Sequence, residues 1–138
     1  VFPTPKPYSD DPNAPQVTLL DKKDWTPGIR RVVALTIGLA RKLVERDLDV
    51  RIVNDPAAGF EACYSRARGR LDFNLAVLGH EFFANYSNEP ERVIDLILHE
   101  FGHEYTGSHL SDDYHNALTQ LGAKLAVLVC REPSFLWL

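Results

Sequence analysis

The sequence predicts an α+β domain. Three observations predict it: an amphipathic helical stretch near the N-terminus, three short strand-like stretches in the middle, and helical periodicity again toward the C-terminus. The chain of 138 residues is 45% hydrophobic and 25% charged. That is enough apolar material for one domain to bury a core without disulfide support.

Residues 1–16, VFPTPKPYSDDPNAPQ, hold five of the nine prolines. Proline fixes φ and withholds a donor, so this stretch reads as an extended arm or interdomain linker. The folded domain is then 17–138, opening on a short apolar candidate strand, VTLL. The first helix is TPGIRRVVALTIGLARKLVERDL, with Thr26 as N-cap and Pro27 in the first helical position. Ile29, Val32, Val33, Leu35, Ile37, Leu39, Leu43 and Val44 give it a broad apolar face. Gly38, inside it, marks close packing against another element.

DVRIVN, GFEACYSR and RLDFNLAV follow as strands. Alternation and the turn-formers between them predict an antiparallel meander, so the sheet is expected to be small, mainly antiparallel and three- to four-stranded. GHEFFANYS reads as a short helix or turn, with His80 a surface or capping residue. Asn88 and Glu91 have capping-box spacing ahead of a helix from ERVIDLILHEFGHEYT to Gly107. Ser111 then caps a last helix, DDYHNALTQLGAKLAVLVC.

A formal net charge of -4 gives no overall basic footprint for nucleic acid or an anionic membrane. Arg66, Arg68 and Arg70 cluster locally around a glycine and are best read as a solvated turn. No apolar run reaches the length of a membrane span. Cys63 and Cys130 form no Cys-x-x-Cys pair, and read as buried thiols in a reducing, cytoplasmic compartment rather than as a disulfide. No methionine is present, even at the first position, which predicts a piece cut from a longer protein or a chain whose start was removed.

Four of the five histidines fall within LILHEFGHEYTGSHLSDDYH, residues 96–115. On a helix, His99 and His103 are four residues apart and face the same way, close enough to share a metal ion. Glu100 lies between them, where a carboxylate can take a proton from water. A chain with five histidines rarely produces this pattern by chance. A catalytic zinc needs a third protein ligand, and the candidates are His109, His115, Asp112, Asp113 and Glu132. His109 is favoured if Gly107 ends the helix and the chain turns back. Asp95, one turn before His99, is either a partner for that imidazole or a solvated face residue.

The window resembles the zincin metallopeptidases. Thr106 stands where metzincins carry a glycine, and the chain has no methionine for their downstream turn. His99, Glu100, His103 and His109, followed by Tyr114, are closer to the HExxHxxxxxH pattern of the compact SprT-like, YgjP-like and WLM domains. The specific likeness spans roughly residues 93–118. It implies a minimal zincin-like fold: an N-terminal helix, a small sheet, the HExxH helix and a C-terminal helix. It also implies Zn2+ on His99, His103 and His109, with Glu100 as general base in peptide hydrolysis. Tyr105, Tyr114 or His115 would stabilise an oxyanion, and RLDFNLAV would offer its edge to an extended peptide. Expected partners are a peptide or protein substrate and other domains of a longer parent chain. The likeness carries no DNA-repair role onto this acidic chain. Two alternatives remain open. One is a catalytically silent zinc-binding regulatory or docking domain of a larger protein, such as one with an ATPase region. The other is a plain helical core with accidental histidines.

Overall fold

The computed structural model describes residues 18–106 and 112–137. The expected arm, and the roles expected of Gly107, His109 and Ser111, therefore lie outside the described residues. The architecture is α+β: helices pack on a three-stranded sheet.

Helix α1, Pro27–Leu43, begins as its sequence dictates, with Thr26 Oγ1 accepting from the Ile29 N–H at 3.2 Å. Ile29, Val32, Leu39 and Leu43 lie on its buried face. Gly38 meets another element as expected: a Cβ there would sit 3.2 Å from the Phe135 ring. The helix stops five residues before the predicted end. Glu45 takes a left-handed conformation (φ 55), and the turn buries Leu48.

The sheet is mixed, not a meander. Strands β1 (Asp49–Val53), β2 (Ala62–Ser65) and β3 (Arg70–Asn74) lie in the order β1-β3-β2. β1 runs parallel to β3, pairing Val50 with Leu71 and Ile52 with Phe73. β2 runs antiparallel to β3, pairing Cys63 with Asp72. The chain thus crosses from one edge to the other and returns by a hairpin to the middle. The middle position suits β3, whose Leu71, Asp72, Phe73 and Asn74 are all buried. The two polar residues among them are satisfied. Arg51 binds Asp72 through two 2.8 Å hydrogen bonds. Asn74 donates to the carbonyls of Asp55 and Phe60 and accepts from the Asp55 N–H. The expected VTLL strand is reduced to an antiparallel bridge from Leu19 to Val53.

RLDFNLAV is strand only to Asn74, whose side chain accepts from the Ala76 N–H and starts helix α2, Leu75–Leu78. Helix α3, His80–Ala84, places Phe82 and Phe83 against Phe73, at ring-centroid distances of 6.4 and 5.8 Å, and 5.1 Å from each other. His80 is exposed at its start. Helix α4, Pro90–Phe101, is preceded by Glu89 without a side-chain cap. The expected capping box does not form: the Asn88 amide is turned to Asn85 Oδ1 at 2.9 Å, and Pro90 takes the first helical position. Helix α5, Asp112–Arg131, buries Tyr114, Ala117, Leu121 and Leu128. Cys130 is exposed on it and Cys63 is half-buried, both as free thiols, so the expectation of two buried thiols fails for Cys130. Among the described residues, no helix is long and apolar enough to cross a membrane.

Candidate metal centre

Helix α4 buries Val93, Ile97, Glu100 and Phe101. The spacing 93, 97, 100, 101 is one apolar stripe, and it places a carboxylate inside the core face. His99 projects beside that stripe with its side chain 45% exposed. After Phe101 the backbone tightens into a 3₁₀ turn, Gly102–Glu104, so the helix ends earlier than the sequence suggested. The turn stays helical in sense (Gly102 φ -57, ψ -29) and keeps His103 on the side of His99. The two imidazole rings stand 5.7 Å apart at 80°. One ligand atom from each of His99, Glu100 and His103 lies within 4.8 Å of the others.

His103 Nδ1 lies 3.2 Å from the Thr106 carbonyl. A carbonyl only accepts, so Nδ1 donates there, which in the neutral ring leaves the lone pair on Nε2. His99 is held from behind. The Tyr114 hydroxyl donates to the His99 backbone carbonyl at 2.8 Å, and the Tyr114 ring flanks both imidazoles at 5.7 and 5.5 Å. Gly102 makes that approach possible, because a Cβ there would lie 2.6 Å from Tyr114 Cε2.

Burial pushes the Glu100 carboxyl up to about 8; the charge of Glu61 adds to this, and the Tyr64 backbone N–H opposes it. Strand β2 therefore lies beside the acid, on the edge of the sheet nearest α4. RLDFNLAV cannot offer an edge, since β3 is paired on both sides; the edge beside the cluster belongs to β2. Burial, with Glu100 and Asp72 nearby, pushes the Cys63 thiol up to about 11. It stays protonated at neutral pH, unlike a nucleophilic cysteine.

The remaining candidates are spread more widely. Tyr114 is buried, with its hydroxyl committed to the His99 carbonyl. His115 is exposed on α5, its ring 6.4 Å from that of Tyr114. Tyr105 is exposed just after the 3₁₀ turn. Asp95 is exposed on α4; burial first, then the charges of Glu100 and Asp95, raise the Tyr114 pKa. Asp112 and Asp113 are exposed, and Glu132 pairs with Lys42 at 3.3 Å. Arg66 and Arg68 are exposed in the β2–β3 turn, while Arg70 pairs with Asp49 at 3.4 Å.

Sequence reasoning missed Glu104. Its carboxylate accepts from Arg46 Nη1 at 2.8 and 3.2 Å and from the Tyr64 hydroxyl. Arg46 lies 58 positions away and Tyr64 40, and no local pattern announces such a meeting. Comparisons with known protein families, curated proteins and solved structures found no match.

Proposed function

We propose that the chain is a zincin-like, zinc-dependent metallopeptidase domain that hydrolyses peptide bonds, with Glu100 as general base. The observation that carries the reading is the convergence of His99, Glu100 and His103 ligand atoms within 4.8 Å on one helix end. The donor set fits zinc: two imidazoles, one with its tautomer fixed by the Thr106 carbonyl, suit a borderline-soft divalent cation. His99 and His103 would hold the ion, with His109 the proposed third ligand. Bound there, zinc would supply Lewis acidity, making water a better acid and a carbonyl a better electrophile.

Glu100 does the proton work. Raised to about 8 in the metal-free chain, the carboxyl holds its proton at neutral pH; a cation on the two imidazoles would favour the carboxylate, the form that can take a proton from water and return it to a leaving amine. Its burial excludes competing water, and the Tyr64 N–H holds one of its oxygens. Tyr114 keeps the His99 backbone in place. An extended peptide or protein segment is the proposed substrate. Further domains of a longer parent chain are proposed partners, and the free cysteines fit a reducing, cytoplasmic setting.

The test is elemental analysis of the purified chain together with Glu100→Gln in a peptide-cleavage assay. About one zinc per chain, kept by the variant while cleavage is lost, supports the reading. A Gln variant that cleaves as fast as the parent refutes the assigned base. A second reading, a zinc-bearing docking module without hydrolysis, draws on the same burial, because a base closed off from solvent is harder for water to reach. Metal content without cleavage of any peptide pool would favour it.

A further inference from the structure

We propose that Glu104, gripped by Arg46 and Tyr64, is the positioning device that holds His103 in ligating geometry. The inference rests on the metal-binding reading of His99 and His103. His103 does not stand on α4 itself but on the single 3₁₀ turn that follows it. Such turns hold themselves weakly, because their hydrogen bonds are poorly aligned. Here the Tyr105 and Thr106 N–H groups both lean on the Gly102 carbonyl, at 3.2 and 3.4 Å.

The stiffness comes from the next side chain. The Glu104 carboxylate is 16% exposed and takes hydrogen bonds from two other elements. Arg46 reaches it from the loop after α1, and the Tyr64 hydroxyl reaches it from β2. Arg46 is itself fixed, donating to the Arg66 carbonyl at 2.9 Å. Two backbone positions accommodate it. Glu45, the residue before it, takes the left-handed turn although it is not glycine. Gly69 (φ 59) leaves room for the guanidinium, since a Cβ there would lie 2.9 Å from Arg46 Nη2. An ordinary surface ion pair requires neither adjustment.

Tyr64 ties this clamp to the base. Its hydroxyl binds Glu104 and its backbone N–H faces Glu100. One edge-strand residue thereby sets the distance between the turn that carries His103 and the acid that would act beside it. Glu104 and Arg46 supply no ligand atom to the cluster of His99, Glu100 and His103, so the role proposed for them is positioning. Partners that hydrogen-bond a ligand directly typically govern metal affinity by about 10- to 100-fold, and Glu104, which acts through the adjoining backbone, is measured against that scale.

Cobalt(II) is the probe, because its visible absorption reports ligand geometry as well as occupancy. The whole chain would be stripped with chelator and titrated with cobalt(II), beside Glu104→Gln, Tyr64→Phe and the control Arg41→Ala. The control removes an exposed ion pair, Arg41 with Asp47 at 2.7 Å, outside the cluster. Circular dichroism of each metal-free variant separates a loosened site from a lost fold. Expected are about 10- to 100-fold weaker cobalt binding and an altered spectrum for Glu104→Gln, with a smaller loss for Tyr64→Phe. Arg41→Ala should match the parent, and secondary structure should persist throughout. Equal affinity and an identical spectrum in Glu104→Gln would overturn the clamp and leave the metal site standing. An equal loss in Arg41→Ala would overturn it too, as a general charge effect. A parent chain that binds neither cobalt(II) nor zinc would overturn the metal reading itself, and the clamp with it. Where Glu104→Gln fails to fold, Tyr64→Phe decides, since it deletes one oxygen only: parent-like binding and spectrum would overturn the clamp.

Discussion

Replacing Glu100 with Gln should make the metal-free protein more stable, increasingly so as pH rises. The carboxyl shares its helix stripe with Val93, Ile97 and Phe101. Burial first, then the Glu61 charge, carries its pKa from 4.5 to about 8, against the Tyr64 N–H. In the unfolded chain the group loses its proton near 4.5, whereas in the folded chain it keeps it to about 8. Between those values the native state binds more protons, so stability falls as pH rises through the window. With each pKa unit equivalent to about 1.36 kcal/mol, a fully ionised Glu100 subtracts about 5 kcal/mol. Between about pH 5 and about pH 9 the loss is about 4 kcal/mol. That is a large share of a typical domain's stability of about 5–15 kcal/mol.

Urea unfolding of chelator-treated parent and variant at those two pH values measures it. Gln keeps the shape and an acceptor for the Tyr64 N–H but does not titrate. The other ionisable groups are common to both proteins and cancel in the difference, save for the part of the Cys63 and Tyr114 shifts that Glu100 itself supplies. The stability gap should widen by about 4 kcal/mol toward the alkaline side, with the variant above the parent. A gap constant to within about 0.5 kcal/mol would show that Glu100 titrates as an exposed acid, and the reasoning would fall.

Gly102→Ala should destabilise by up to about 2 kcal/mol. The new methyl collides with the buried Tyr114 ring at 2.6 Å, an overpacking of about 1–3 kcal/mol that outweighs a helix-propensity gain of about 1; an unchanged urea midpoint would contradict it. Gly28→Ala should lose about 2–3 kcal/mol, because the added Cβ falls 2.9 Å from the backbone of Ala84, which cannot swing aside. Thermal melting reads that loss. Tyr114→Phe removes the hydroxyl from the His99 carbonyl and should lower stability by about 1 kcal/mol in urea. Glu45→Gly relieves a left-handed non-glycine residue (φ 55) and should raise the melting midpoint, by at most about 1–2 kcal/mol in stability.

Helices were legible where their signals are local. Thr26 and Pro27 lie next to the helix they start, and the 3.6-residue period of α1 is written in consecutive turns. Gly38 announced its contact because a glycine is conspicuous in a good helix. Strand order was not legible, since alternation says which side is apolar and nothing about which strand is the neighbour. Asp72 and Asn74 made β3 look one-sided, yet both are buried, satisfied by Arg51 and by the loop around Asp55. The capping box at Asn88 failed for a neighbouring reason: Pro90 opens the helix and Asn85 takes the Asn88 amide. At the site, the spacing of His99, Glu100 and His103 was enough to bring them together, because a helix converts sequence spacing directly into distance. Glu104 followed the motif unnoticed, since its partners come from elements that only the tertiary fold brings near.

The buried acid at position 100 is the feature that the proposed metal site would account for and an accidental cluster would not. A helix serving only as core would place an apolar residue between Ile97 and Phe101, and would gain the stability that Glu100 withholds. Instead the chain buries an acid there and surrounds it with support. Tyr114 braces the His99 backbone from behind, Gly102 leaves space for it, and Arg46 with Tyr64 secures the turn carrying His103. His99 and Glu104, the residues these groups hold, lie one and four positions from the acid. A cation shared by the two imidazoles would favour the ionised carboxylate and offset the strain, since a nearby positive charge lowers an acid's pKa. The cost of Glu100 should therefore shrink when zinc is added. Glu100→Gln should be the more stable protein without zinc and should gain less from its addition, and a gain equal to the parent's would disconnect the buried acid from the metal.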